Sequence, residues 1–297
     1  MKARAATRPI GTATRGTTNP NRLRRMDRWI AATHGAELRR TATPVAVDLG
    51  YGAAPWTAVE LLTRLRTVAP HTHVVGIEID PVRVAAAQPY ERDGLTFRHG
   101  GFEIPLAQRP ALIRAANVLR QYDEAQVAEV WAHLCGRLAP AAGGSRGGLL
   151  VEGTCDEIGR RHVWVALGPE GPRTVTFAAR LGSLERPSDL AERLPKALIH
   201  RNVPGEPVHA FLRDFDRAWA TAAPYASYGA RQRWIRAVRD LTADWPVTDG
   251  PVRWRQGEVT VSWGRWRHAG ESGCGWGAWG TIPGGRTPHE RGDRHRA

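Results

Sequence analysis

The chain has 297 residues, 42% of them hydrophobic, and a net charge of +13, enough apolar material for one large α/β domain with an appended subdomain. No run of about 18 apolar residues occurs and the first 20 residues lack an apolar signal core, which argues against a membrane span or export and makes the cytoplasm the expected location. The charge sits mainly at the ends. Lys2 and seven arginines against Asp27 give residues 1–28 a charge of +7, residues 264–297 carry +3 and the body +3, which excludes a uniformly basic nucleic-acid binder but leaves a basic arm that can touch phosphates.

Residues 1–18 mix Ala, Thr, Gly and Arg without periodicity and read as a mobile basic arm. Residues 19–43 read as a helix or lid: Asn19 can cap it, Pro20 suits its first turn, and Leu23, Met26 and Ile30 recur at helical spacing as a docking stripe. Arg22, Arg24, Arg25 and Arg28 fan over the other face, as a solvated surface or as part of a lid. Of these, Arg22, Arg25 and Arg28 are candidates for substrate contact.

From residue 44 strands and helices alternate: strand 44–49, helix 55–69, strand 74–79, helix 81–89, strands 94–98 and 111–117, helix 123–138 and strand 147–153. The spacing predicts an α/β, Rossmann-like, doubly wound and mostly parallel sheet, with ligands outside the carboxyl ends of the strands. Two further strands, 161–167 and 174–180, flank the turn signal Gly168-Pro-Glu-Gly171-Pro172. Three helical patterns follow, carried by Leu190, Leu194 and Leu198, then Val208, Phe211, Leu212, Phe215 and Trp219, then Trp234, Ile235, Val238 and Leu241. Val259, Val261 and Trp263 alternate as a late strand. The expected organisation is therefore a binding core at 44–183, a C-terminal helical layer with the late strand at 184–263, and a Gly-rich disordered tail at 264–297. Eight of the twelve tryptophans lie after residue 200, where they either pack or stack on a planar acceptor.

The most informative stretch is an apolar run ending in Asp48, then Leu49-Gly50-Tyr51-Gly52, with a second apolar run ending in Glu78-Ile79-Asp80. A βαβ unit presents ribose acceptors and a close backbone approach in this way, the glycines supplying positive φ without a Cβ. Pro55 stands where a dinucleotide fingerprint needs its third glycine, which disfavours pyrophosphate.

These residues resemble the class I S-adenosylmethionine-dependent methyltransferases, with Asp48-Leu-Gly50-Tyr51-Gly52-Ala-Ala54 as first motif and Ala54 in place of a third glycine. The resemblance implies S-adenosylmethionine as cofactor, with its ribose on Glu78 and Asp80 as the register alternative. It also implies an adenine bordered by Gly101 and Phe102, with Glu103 as an alternative because the usual Gly-Asp of that segment is absent. Asn117 and Tyr122 fall where such enzymes place the methionine portion and the acceptor. Four motifs in order span roughly residues 44–154, about a third of the chain. A relative using the decarboxylated cofactor, as polyamine synthases do, is an alternative.

Methyl transfer asks for alignment and water exclusion, and for a base only where the acceptor must lose a proton. Tyr122, Glu152, Asp156 and His162 are the acid/base candidates near strand ends. A small-molecule acceptor is slightly favoured. RNA is the alternative, with Arg22, Arg25, Arg28 and the segment Lys196–Arg201 on phosphates. A non-catalytic cofactor-binding regulator or assembly subunit is the third reading. Cys135, Cys155 and Cys274 are too sparse for a disulfide framework or zinc cluster, and His71 and His73 lack partner acids, so no metal is expected.

Overall fold

The computed structural model describes residues 9–14, 16 and 18–266. Residues 1–8, 15 and 17 of the basic arm, and the tail from 267 onward, lie outside the described residues.

Eight strands form one sheet in the order β3-β2-β1-β4-β5-β6-β7-β8. They are β1 (Val45–Leu49), β2 (His73–Glu78), β3 (Leu95–His99), β4 (Leu112–Ala116), β5 (Leu149–Cys155), β6 (Arg161–Gly168), β7 (Gly171–Ala179) and β8 (Glu258–Ser262). The first five are parallel to one another, and β5 to β8 run as an antiparallel meander. Every residue of β5 is buried, as expected of a strand covered on both faces.

Helix α1 (Arg24–Leu38) begins later than the capping signal at Asn19 predicts. Asn19 donates its side chain to the Glu157 carbonyl, and Asn21 sits at φ 63°, which keeps residues 19–23 in turns. The stripe itself docks as its spacing implies: Leu23, Met26 and Ile30 are buried, and Trp29 meets Trp164 edge-on at 5.5 Å. With α2 (Trp56–Arg66) and α3 (Pro81–Ala87), α1 covers one face of the sheet. The other face is covered by α4 (Glu124–Arg137) and, over the antiparallel half, by α5 (Lys196–Ile199), α6 (Pro207–Thr221), α7 (Ala230–Leu241) and α8 (Pro251–Trp254).

The Leu190, Leu194 and Leu198 pattern does not give one helix. Pro195 lacks an N–H and disfavours helical geometry at Leu194, so the segment splits into a 3-10 stretch, Pro187–Arg193, and the short α5, with all three leucines still buried. Trp219, Trp234, Trp245, Trp254, Trp263 and Trp266 are all buried, so the described tryptophans of this layer pack rather than offer stacking surfaces. Trp266 stacks on Trp245 at 5.7 Å, which carries ordered core packing two residues past the expected tail boundary at 264. β8 returns to pair with β7, joining the appended layer to the main sheet.

Candidate functional site

The carboxyl ends of β1, β2 and β4 meet at a crevice. Gly50 and Gly52 lie at φ 67° and 85°, where a side chain is strained. A Cβ on Gly50 would come within 2.9 Å of Val118, and one on Gly52 within 2.6 Å of the Thr18 hydroxyl. Glu78 is 1% exposed and faces this turn: Oε2 accepts from Gly52 N–H at 2.9 Å, and Oε1 from the amides of Ile79 and Asp80 at 2.9 and 3.2 Å. Asp80 has a different task. It caps α3 by accepting from Val82 N–H at 2.9 Å, and it lines neither compartment of the crevice. Glu78 therefore faces the glycine turn and Asp80 the start of α3.

Asp48 lines the crevice but is committed internally. It accepts from Thr57 Oγ1 at 2.7 Å and from Arg114 Nε at 3.1 Å. Arg114, wholly buried in β4, also pairs with buried Asp27 of α1. Burial opposes the Arg114 charge, but Asp27 and Asp48 outweigh it and hold its pKa above the ordinary value. Burial pushes the Asp27 carboxyl up to about 6, with Arg114 working against the shift. Residue spacing does not mark this pair. The signal was a lone arginine inside an apolar strand run, which cannot be buried without partners.

The described part of the expected mobile arm lies across the crevice. Phe102 N–H donates to Ile10 O at 2.9 Å, and Ile10 N–H to Glu103 Oε2 at 2.8 Å. Thr12 donates its amide (2.6 Å) and hydroxyl (3.1 Å) to the Tyr122 hydroxyl. Arg83, which stands 3.7 Å from Glu78, donates to Thr14 O, and Thr18 Oγ1 donates to Tyr51 O. The described residues of this strap, 9–14, 16 and 18, divide the crevice. Glu78, Gly101, Phe102, Val118 and Tyr122 surround a compartment of about 20 Å³ beneath Ile10 to Thr14. The other compartment, about 570 Å³, is lined by Asp48, the glycine turn, Asn117, Arg22, Arg120 and neighbouring residues. Tyr51 is buried, its ring edge-on to Phe97 at 5.2 Å. Asn117, at φ 60°, clasps the end of β5, accepting from Cys155 N–H at 3.0 Å and donating to Cys155 Sγ at 3.2 Å.

Three acid/base candidates stand away from both compartments. Glu152 is fully buried in β5, where burial pushes its carboxyl up to about 8 against a hydrogen bond from Trp131. His162 is fully buried beside Trp164, and burial holds its imidazole down to about 3. Asp156 organises the β5–β6 turn by accepting from the amides of Ile158, Arg160 and Arg161. Tyr122 alone of the four reaches the crevice. The substrate candidates also divide: Arg22 lines the larger compartment, whereas Arg25 and Arg28 donate to the carbonyl and side chain of Gln256, each at 3.0 Å.

No family model and no curated protein matches the chain. Solved structures overlap part of it. Human N-acetylserotonin methyltransferase in complex with S-adenosylmethionine aligns at 19% identity over 45% of this chain and 37% of its own, with a TM-score of 0.29. A probable spermidine synthase from Corynebacterium glutamicum aligns at 18% over 43% and 47%, TM-score 0.31. An amino pentose methyltransferase from Micromonospora echinaspora, bound to S-adenosylmethionine, aligns at 18% over 51% and 67%, TM-score 0.30. The chain thus spans less than half the length of the first two. Its architecture rests on its own strand order: an α/β, Rossmann-like fold, doubly wound in the parallel half, with a glycine-turn crevice at the strand carboxyl ends.

Proposed function

We propose that the protein is an S-adenosylmethionine-dependent methyltransferase acting on a small-molecule acceptor. The observation that carries this reading is the buried Glu78 carboxylate facing the Gly50–Gly52 turn at the end of β2. A carboxylate has about four acceptor positions, and three backbone amides use three of them, so one remains for a hydroxyl. The cradle at Gly50 and Gly52, which a Cβ would fill, suits close approach of a ligand to the backbone. Glu78 would hold the ribose, with Gly101 and Phe102 beside the base and the glycine turn against the methionine portion.

Bound there, S-adenosylmethionine supplies an activated methyl group whose sulfur leaves as a neutral thioether. The chain's own residues bind, align and exclude water. A compartment of about 20 Å³ admits a water but not a nucleoside, so a nucleoside must displace Ile10 to Thr14. Those residues then act as a lid over the crevice.

Calorimetry with S-adenosylmethionine and S-adenosylhomocysteine tests the cofactor. Incubation with methyl-labelled cofactor, small acceptors and structured RNA tests the rest. Binding with label in the small-molecule fraction is expected. Failure to bind either compound overturns the reading, label in RNA replaces the acceptor class, and binding without turnover on any acceptor favours a regulator or assembly subunit.

A further inference from the structure

We propose that the acceptor is a small polar anion, a carboxylate or phosphate, recognised by Arg120 at the larger compartment. This inference rests on the methyltransferase reading above.

Charge in that compartment leads to it. Asp48 is the one carboxylate among the described lining residues, and Arg114 at 2.7 Å and the Thr57 hydroxyl already satisfy it. Arg120 also lines the compartment, and its guanidinium donates through Nη1 to the backbone carbonyl of Glu192 at 3.2 Å. A carbonyl fixes the side chain's direction without neutralising its charge. The Glu192 carboxylate is engaged elsewhere, by Arg161 at 3.1 Å. Arg22 adds a second guanidinium to the lining, with Nε directed at Cys155 Sγ and Asp156 O. A planar guanidinium presents its N–H groups as a fork that matches a carboxylate or phosphate at two points.

Placement assigns the anion to the acceptor. Arg120 follows β4, and its carbonyl partner belongs to the Pro187–Arg193 stretch of the appended layer. Glu78 and Phe102, which would hold the ribose and the base, border the compartment under the strap; the glycine turn that would meet the methionine portion lines the larger compartment too, and Arg120 marks the side of it toward the appended layer, where the acceptor would enter. The rest of the lining agrees with a polar ligand: Thr14, Thr18, Asn117 and Gln121 contribute to it. The aromatic mass of the appended layer lies in the core instead.

The test uses the full-length protein saturated with S-adenosylhomocysteine, titrated calorimetrically with succinate and glycerol 3-phosphate and with their uncharged counterparts succinamide and glycerol. At least one charged probe should bind about tenfold or more tighter than its counterpart, and Arg120→Gln should abolish that preference while changing S-adenosylhomocysteine affinity by less than about twofold. Arg120→Lys, which keeps the charge and loses the fork, should retain part of it. Equal or absent binding of charged and uncharged probes overturns the proposal. So does loss of S-adenosylhomocysteine affinity in Arg120→Gln with the anion preference intact, because the guanidinium would then serve the cofactor. Melting curves check that each variant is folded. If wild-type protein fails to bind S-adenosylhomocysteine, the methyltransferase reading fails, and the same titrations on the free protein decide the anion preference separately.

Discussion

Arg114 grips Asp48 at two points, Nε to Oδ1 at 3.1 Å and Nη2 to Oδ2 at 2.7 Å, so the acid that heads the glycine turn is held from behind by the neighbouring strand. The same guanidinium reaches Asp27 and the Thr57 carbonyl, tying α1, β1, α2 and β4 together under the crevice. Replacing Arg114 by Met should cost about 3–5 kcal/mol, because two buried carboxylates lose their partner. Urea denaturation measures it. A loss below about 1 kcal/mol would mean that water or protonation replaces the guanidinium.

Glu78→Ala should weaken both S-adenosylmethionine and S-adenosylhomocysteine by at least about tenfold, since charge-assisted hydrogen bonds contribute about 1.5–3 kcal/mol each. Asp80→Ala should leave affinity nearly unchanged and lower stability by about 1 kcal/mol through loss of the α3 cap. Calorimetry and thermal melting separate the two effects, and the reverse pattern would move the ribose to Asp80.

Tyr122→Phe removes the hydroxyl that accepts from both Thr12 donors. Loss of these two contacts, about 1 kcal/mol of strap docking, should speed association of S-adenosylhomocysteine about fivefold in surface plasmon resonance. An unchanged association rate would show that strap opening does not limit access to the crevice.

Glu152 gives the fold a pH dependence. Burial raises its carboxyl from 4.5 to about 8, so between these values the unfolded chain is deprotonated while the folded one holds its proton. Its contribution is therefore complete below about pH 4.5 and is lost as pH rises through about 8, by no more than about 5 kcal/mol. Glu152→Gln should flatten the fall in stability between pH 5 and 8, as read from urea midpoints across that range. His162, held down to about 3, works in the opposite sense: its contribution is present above about 6.5 and fades as pH falls. A Glu152→Gln protein with the wild-type alkaline slope would place the titration on another group.

Local pattern determined a large part of this protein. Period-2 and period-3.6 apolar spacing located β1 to β7, and helices α2, α3, α4, α6 and α7, to within a few residues, because each element buries a face its own sequence marks. The glycine turn and Glu78 were legible for a related reason: positive φ and a strand-end acid are local requirements. Tertiary structure decided the rest. The segment holding Ile10, Thr12 and Thr14 carries no periodicity, yet the backbone groups of these three residues find Phe102, Tyr122 and Arg83, partners that only the folded crevice brings within reach. Glu152 and His162 look like candidate acids and bases in the chain, and only three-dimensional packing places them inside layers away from the crevice. Arg114 and Asp27 are 87 residues apart, and charge pairing at that separation is invisible to spacing because it depends on which helix covers which strand.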